Sequence, residues 1–356
     1  MIIYKFEFGG VSSLLDLMKN FKKIIALLSV IMLFTLSFSG CGKKNDEELI
    51  TVRLNEVVRS LFYAPMYVAI NEGYFAEEGI EIDLSTGQGA DKTMQQVLSG
   101  NADIGFSGPE QIIYIYNQGR EDYPIVFAQL TQRDGSFLVG NKDEKDFDWK
   151  SLEGKTVIGG RPGGVPEMTF EYVLKKNGLD PKEDLDIITN IAFTATAGAF
   201  KSGSGEYVTL FEPTASTLVE DGSGHIVASI GESAGPIPYT CYFATKSYME
   251  KNPEIIQEFT KAIYKGQLWV QDHSEEDIAD KIVSFFPGIE KDILINSIRS
   301  YKDINAYAIT PVLTEESLDR LMDIIQSYDE KLMPERPEFE VIVDNTYGEK
   351  VVEESK

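Results

Sequence analysis

Residues 51–84 read TVRLNEVVRSLFYAPMYVAINEGYFAEEGIEIDL, which is two runs of β-type residues separated by a helical pattern. The first run covers residues 51–57, the helix candidate covers 65–72, and the second run covers 80–84. Pro65 falls in the first turn of the helix candidate, where its missing N–H removes no hydrogen bond. A strand, a helix and a second strand in this order indicate an α/β sheet.

The same alternation continues along most of the chain and predicts an α/β fold. Further strand candidates are 103–106, 125–129, 156–159, 185–189, 207–211 and 226–230. Further helix candidates are 90–98, 109–117, 166–176 and 213–220. From Pro253 onward the pattern is almost wholly helical, with Ser274 and Asp277 forming a capping box. Residues 341–343 are expected to form a last strand or turn.

The composition is strongly acidic, with a formal net charge of −24. Residues 1–40 carry four lysines and two acidic residues, so their removal would change this charge to −26. A nucleic-acid partner needs a basic footprint, and peripheral binding to anionic lipid needs basic segments. The charge therefore argues against both classes of partner.

The N-terminus has the pattern of a secretory signal. Residues 19–23 contain three lysines, residues 24–38 are uncharged and mostly apolar, and the small residues Ser39-Gly40 precede Cys41. The apolar run is shorter than the ~20 residues that a membrane-spanning helix needs. A cysteine directly after the cleavage point resembles a bacterial lipoprotein signal, in which that thiol receives the lipid. A plain signal peptide and an N-terminal anchor remain alternatives.

The expected natural start is Met18, because MKNFKK at 18–23 begins a typical signal whereas residues 1–17 carry Glu7 and Asp16. Residues 1–40 are then the signal peptide and 41–50 a lipid-anchored linker. Cys241 lies in a strand-like apolar stretch, so we expect a buried small hydrophobe and not a nucleophile.

Several short motifs resemble one family of solute-binding proteins of ABC importers, the group that binds nitrate, sulfonates, taurine and thiamine-pyrimidine precursors. The motifs are LFYAPMYVA at 61–69, EGYFAEEGI at 72–80, GNADIG at 100–105, LEGKTV at 152–157, and SY at 247–248 with NPE at 252–254. Their order and spacing carry the resemblance, which covers roughly residues 50 to 330.

The resemblance implies a two-lobed periplasmic-binding-protein fold of type II, with two crossing segments and a ligand cleft between the lobes. Crossings are expected near 133–140 and 238–244. Lobe 1 would then comprise 51–135 plus 245–330, lobe 2 would comprise 136–244, and the tail 331–356 would pack on lobe 1. The implied partners are a small-molecule solute and a membrane permease with its cytoplasmic ATPase. We expect a monomer on the extracytoplasmic face of the cell membrane, with no cofactor and no metal.

Ligands of open α/β sheets lie beyond the carboxyl ends of the strands, facing helix N-termini. This rule selects as ligand-binding candidates Phe62, Tyr63, Gly87, Gln88, Gly89, Ser107, Glu110, Arg161, Gly163, Gly164, Glu167, Phe211, Glu212 and Tyr239. Each has a structural alternative. The aromatic residues could pack the first helix, the glycines could form turns, and a glutamate at a helix start is favoured by the helix dipole whatever its function.

Several carboxylates around one cleft would repel a sulfonate or nitrate, whereas a donor-rich nitrogenous ring would satisfy them and stack on aromatic side chains. The sequence therefore favours a pyrimidine-like or other nitrogenous aromatic solute. An anion would instead need Arg161, Arg133 or Arg59. No catalytic motif appears, so an enzyme is not expected, and an extracellular enzyme acting on a heterocycle is the alternative from another class. A sensory binding lobe is a third hypothesis.

Overall fold

The structure is a computed structural model that describes residues 49–356. The predicted signal peptide, the start at Met18 and the lipid attachment at Cys41 lie outside the described residues. None of the helices within 49–356 combines the length and the apolar character that crossing a membrane requires.

The strands within residues 49–356 form two sheets of five. They are β1 Ile50–Glu56, β2 Ile80–Thr86, β3 Ile104–Ser107, β4 Pro124–Thr131, β5 Phe137–Gly140, β6 Thr156–Ile158, β7 Asp186–Ile188, β8 Tyr207–Leu210, β9 His225–Ser229 and β10 Thr240–Thr245. The first sheet has the order β2-β1-β3-β10-β4 and the second has the order β7-β6-β8-β5-β9. We call the parts built on them the first lobe and the second lobe.

Each sheet mixes parallel and antiparallel strands in the same way. In the first lobe β1 pairs in parallel with β2 and β3, while β10 runs antiparallel between β3 and β4. In the second lobe β6 pairs in parallel with β7 and β8, while β5 runs antiparallel between β8 and β9. The two-lobed α/β fold expected from the sequence is confirmed.

Helices cover the sheets and make up most of the C-terminal part. They are α1 Ala64–Asn71, α2 Tyr74–Glu77, α3 Ala90–Leu98, α4 Glu110–Asn117, α5 Val165–Lys176, α6 Thr196–Lys201, α7 Thr214–Glu220, α8 Ile230–Ala234, α9 Lys246–Lys251, α10 Pro253–Asp272, α11 Glu275–Ile282, α12 Lys291–Asp303, α13 Glu315–Tyr328, α14 Phe339–Ile342 and α15 Thr346–Glu354. The N-cap half of the predicted capping box is present, because Ser274 Oγ accepts the N–H of Asp277 at 3.1 Å.

The crossing segments are shorter than the sequence indicates. Strand β5 begins at Phe137 and strand β10 begins at Thr240, so the crossings reduce to residues 132–136 and 235–239. Both strands are apolar and nearly completely buried, and each lies in the interior of its sheet. A strand buried on both faces shows no alternation of polar and apolar residues, which is why the sequence pattern places these two in the crossings.

The C-terminal part contacts both lobes. Helix α13 packs on α5 of the second lobe, and Arg320 on α13 donates to the carbonyl of Pro236 in the returning crossing at 2.7 Å. Helix α15 packs on α10, and Val343 forms a parallel bridge with Val126 of β4. The last apolar run is therefore a short helix, α14, followed by a single bridge. The lobe boundaries given above stay a prediction.

Candidate functional site

A group of aromatic rings lies where the lobes meet. Phe62 follows β1, and its ring centroid is 4.9 Å from that of Tyr301, 5.4 Å from Tyr239 and 6.1 Å from Phe211 of the second lobe. Phe62 is only 1% exposed. Phe211 is half-buried and lies 6.0 Å from the ring of Phe193, which is exposed. The rings thus extend from the protein surface into the buried contact between the lobes.

Glu110 is the first residue of α4 and is buried in the first lobe. Its Oε1 accepts the side-chain N–H of Gln111 at 3.1 Å, while Oε2 has no hydrogen-bond partner within residues 49–356. Burial raises the pKa of Glu110 to about 7, although the hydrogen bonds from Gln111 and a more distant Arg161 favour the ionised form. One oxygen of this carboxyl group is therefore anchored and the other is buried without a proton donor.

Asp134 is a second buried acid, in the first crossing segment, and the rule about strand ends does not select it. Its Oδ1 accepts the backbone N–H of Ser136 at 2.7 Å and also the hydroxyl of Ser136. Its Oδ2 is also buried, and the hydroxyls of Tyr239 and Thr169 lie close enough to donate to the carboxyl group. Burial raises the pKa of Asp134 to about 7, and the hydroxyls of Ser136, Tyr239 and Thr169 act in the opposite direction.

Glu167 lies near the start of α5 in the second lobe. Its Oε2 accepts the backbone N–H of Gly160 at 2.6 Å, and Oε1 is buried with no partner in the described part of the chain. Burial raises the pKa of Glu167 to about 7, and the nearby Glu171 adds to this shift. Glu167 thus closes the turn after β6 with one oxygen and leaves the other unsatisfied.

Glu212, the remaining glutamate candidate, is fully anchored. Its two oxygens accept the backbone N–H and the hydroxyl of Ser216, both at 2.8 Å, at the start of α7. Ser297 of α12 contributes a longer contact of 3.5 Å. These bonds hold the beginning of α7 and leave no oxygen without a partner, which favours a structural role.

The glycine candidates form the turns at the carboxyl ends of β2 and β6, but much of their hydrogen-bonding capacity is already used. The N–H groups of Gly87 and Gly89 donate to the carbonyls of Glu56 and Val57, and that of Gly164 donates to the carbonyl of Arg161. Gln88 between the first two is exposed and has a positive φ of 60°. The carbonyl of Gly163 accepts the hydroxyl of Tyr114 at 3.2 Å, a bond that joins the two lobes.

Tyr63 and Ser107 are the remaining candidate residues in the first lobe. Tyr63 is buried beside Phe62, and its ring centroid lies 4.7 Å from that of Phe106. Ser107 at the end of β3 is also buried, and its hydroxyl contacts only the neighbouring carbonyl of Gly108, at 3.5 Å, among the described residues. Both lie on the same edge of the sheet as Glu110.

The arginines near the cleft are engaged to different degrees. Arg161 reaches Asp91 of the first lobe at 3.9 Å, and its side chain is half exposed. Arg59 pairs with Glu56 at 2.8 Å and lies over the ring of Phe285. Arg133 donates weakly to the carbonyl of Gly231, at 3.5 Å, and its buried Nε has no partner within 49–356.

A separate hollow of about 190 Å³ lies on the first lobe, away from this edge. Its lining includes Arg53 and Asp103, which pair with each other at 2.6 Å, together with Tyr248 and Lys251. Asp103 directly precedes β3, so the hollow is at the amino ends of the strands, whereas Glu110 and Phe62 follow the carboxyl ends. It does not belong to the cleft.

Two proteins that are similar to this chain in sequence are named as binding proteins. A family model described as NMT1/THI5 like matches residues 62–277. YtlA of Bacillus subtilis (strain 168), which is named as a binding protein, is 46% identical over 319 residues that cover 90% of this chain and 95% of that protein. The formylaminopyrimidine-binding protein of Halalkalibacterium halodurans is 26% identical over 267 residues, which is 73% of this chain and 77% of the relative.

Among solved structures, the alkanesulfonate-binding protein SsuA from Xanthomonas axonopodis pv. citri, bound to MOPS, is similar in fold. The TM-score is 0.67 at 14% identity, over 84% of this chain and 99% of that chain. At this identity the likeness bears on the fold alone.

Proposed function

The chain belongs to the NMT1/THI5-like family, and from this premise we propose that it is an extracytoplasmic, lipid-anchored solute-binding protein of an ABC importer. It captures a small nitrogenous aromatic compound, pyrimidine-like in shape, and delivers it to a membrane permease. The 46% identical relative from Bacillus subtilis, named as a binding protein, supports the binding role. Contacts from both lobes to one solute would stabilise the closed form, as in other hinge-type binding proteins.

The observation that carries the ligand class is the pairing of rings with a free carboxyl oxygen. Phe62, Tyr239 and Phe211 offer apolar faces from both lobes, and Glu110 Oε2 is a buried acceptor at the same edge, with no partner among the described residues. A flat heterocycle with N–H donors would stack on the rings and satisfy the oxygen. The formylaminopyrimidine-binding relative has a ligand of this kind by name.

A second candidate, an anion such as an alkanesulfonate, is favoured by one observation, the Nε of Arg133, which lacks a partner within 49–356. It is the weaker candidate because the other two arginines already face acidic residues. Arg161 reaches Asp91, and Arg59 pairs with Glu56. An anion placed between the lobes would also lie near Glu110 and Asp134, which would repel it when ionised.

Identification of the bound molecule tests the proposal. Gently purified protein is denatured and the released small molecules are identified by mass spectrometry. A thermal-shift panel of aminopyrimidines, taurine and nitrate accompanies it, since a ligand at ~100 times its dissociation constant stabilises by ~2.7 kcal/mol. A nitrogenous ring supports the proposal, taurine or nitrate supports the second candidate, and turnover of a bound compound would favour the enzyme alternative.

The lipid anchor and the location rest on the sequence pattern before Cys41, and replacement of this cysteine tests them. Metabolic labelling with palmitate should mark the wild-type protein in the membrane fraction. The variant Cys41→Ser should lose both the label and the membrane association. Equal labelling of the two proteins would exclude attachment at this residue.

A further inference from the structure

Helix α13 is attached to the first lobe on both sides of its own sequence. Before the helix, the backbone N–H of Ala308 donates to the carbonyl of Leu130 on β4 at 2.9 Å. After it, the side chain of Asn117 at the end of α4 forms two hydrogen bonds with the backbone of Glu335, at 2.8 and 2.9 Å. The connections that lead into and out of α13 are therefore held by main-chain groups of, or next to, the first sheet.

Between these attachments, α13 contacts the second lobe. It packs on α5, and it also contacts α4 of the first lobe. Lys175 in the last turn of α5 donates to the carbonyl of Ser327 in the last turn of α13. A Cβ at Gly163, in the turn after β6, would lie 3.9 Å from Leu332 Cδ1, so the residues after α13 touch this turn. The helix thus spans the junction between the lobes.

The same helix holds the returning crossing segment, residues 235–239. Arg320 donates to the carbonyl of Pro236 at 2.7 Å, and a Cβ at Gly235 would lie 3.6 Å from the Arg320 side chain. Gly235 has a positive φ of 94°, which glycine adopts without strain. A rotation of one lobe against the other must change backbone angles in the crossings. The contact with Arg320 therefore restrains the segment in which such a rotation takes place.

The lobes also contact each other directly beside this helix. The hydroxyl of Tyr114 on α4 donates to the carbonyl of Gly163 at 3.2 Å. Arg161 reaches Asp91 of the first lobe at 3.9 Å, and both side chains are about half exposed. An exposed ion pair contributes ~0–1 kcal/mol. We therefore expect a large share of the attachment on this side of the molecule to pass through α13.

We propose that α13 is a strap between the lobes. It stays with the first lobe when the cleft opens, and its contacts with α5 and with the returning crossing favour the closed arrangement. Opening then requires that Lys175 leave Ser327 and that Pro236 leave Arg320. The strap determines how often the cleft opens, whatever solute the protein captures, so this inference goes beyond the proposed function and does not depend on the ligand class.

The variant Lys175→Ala tests the strap, and Lys176→Ala is its matched control. Both lysines lie in the last turn of α5, but Lys176 donates to the carbonyl of Ser233 within the second lobe, at 2.9 Å. Lys175 also lies 4.0 Å from Glu171 of its own helix. Arg320→Ala, which touches neither lysine, is therefore the second variant of the strap.

Hydrogen exchange of the full-length protein without added solute, followed by mass spectrometry, provides the measurement. Opening uncovers both sides of the contact between the lobes, which are residues 61–64 in the first lobe and 159–164 in the second. Amides in both segments should exchange about threefold to tenfold faster in K175A and in R320A than in the wild type. In K176A the two segments should exchange as in the wild type, because its lost hydrogen bond lies within one lobe.

The location of the change decides the outcome. Equal exchange in K175A and K176A at both segments would overturn the strap. Faster exchange of 159–164 alone would also overturn it, because local loosening of α5 leaves the first-lobe segment covered. Faster exchange of both segments in K175A, and not in K176A, would support it. If K175A failed to fold, R320A would decide by the same comparison. None of these results bears on solute capture itself, so the proposed function is tested separately.

Discussion

Two pairs of buried acids in this protein differ in how their oxygens are used. Glu56 and Glu212 have hydrogen-bond partners on both oxygens, from Tyr67 and Thr86 in one case and from Ser216 in the other. Glu110 and Glu167 are equally buried, but each has one anchored oxygen and one without a partner among the described residues. Burial alone therefore does not mark an acid as functional. The two pairs differ in how many of their oxygens have a hydrogen-bond partner, and we propose that the acids with an unsatisfied oxygen are the ones available to a ligand.

The largest expected effect comes from removing a fully anchored acid. Glu56→Ala should lower the free energy of unfolding by about 3 kcal/mol, because Tyr67, Thr86 and Arg59 lose their common partner. Denaturant titration measures this loss. The affinity of the folded protein for its solute should change much less, and a large loss of affinity at unchanged stability would contradict the distinction between the pairs.

The unsatisfied pair predicts a dependence of stability on pH. Burial raises the folded-state pKa values of Glu110 and Glu167 to about 7, above their ordinary value of 4.5. The folded state therefore binds protons more tightly, and stability falls as pH rises from about 4 through 7. We expect the ligand-free protein to lose stability progressively between about pH 5 and 8, with little further loss once the pH is above 7.

Thermal unfolding across this pH range checks the sign. The double variant E110Q/E167Q provides the control, since every other titrating group is common to both proteins. Its stability should decline less with pH than that of the wild type. A parallel decline in the two proteins would show that these carboxyl groups are ordinary acids.

Glu212→Ala should cost about 2 kcal/mol of stability, because the first turn of α7 loses the acceptor for the N–H and the hydroxyl of Ser216. Calorimetric binding at a temperature where the variant is folded should give nearly the wild-type affinity. A loss of about a hundredfold would instead place Glu212 in contact with the solute, as the sequence pattern predicts.

The smallest expected effect is an increase in the stability of the ligand-free protein. Glu110→Gln should raise the stability of the ligand-free protein by about 1 kcal/mol, since a neutral amide is less costly to bury than a carboxylate. The same change should weaken solute binding. A gain in stability in denaturant titration together with a loss of affinity in calorimetry would support a role of Glu110 in binding. A loss of stability would show that Glu110 holds the fold, as Glu56 and Glu212 do.

The fold could be predicted from the sequence to a large extent because its signals are local. The strand candidates between residues 51 and 230 each overlap an observed strand, and the helix expected at 90–98 is α3, Ala90–Leu98. Strands β5 and β10 fall within the predicted crossings because apolar residues fill them without alternation. Their place in the interior of a sheet depends on pairing with distant strands, which no local pattern contains.

The site was harder to predict because burial and hydrogen bonds decide it. The rule about strand ends selects Glu110, Glu167 and Glu212 alike, and only the structure shows which oxygens are used. Asp134 follows no strand end of a βα unit, so the rule passes over it. A polar run, Arg133-Asp134-Gly135-Ser136, between two apolar strands was the available signal, and polar residues in a connection are too common to single one out.

Strand β10 has a consequence for how the chain folds. It lies between β3 and β4 in the first sheet. The backbone N–H of Thr240 on β10 donates to the hydroxyl oxygen of Thr131 on β4, and these two residues are 109 positions apart in the sequence. The strands of the second sheet all lie between Phe137 and Ser229, so each pairs with a strand from the same stretch of sequence. During synthesis the inserted half can therefore mature while the N-terminal strands still lack their central partner. We therefore expect the second lobe to fold before the first, and the strands that are synthesised first to complete their sheet only after β10 is available.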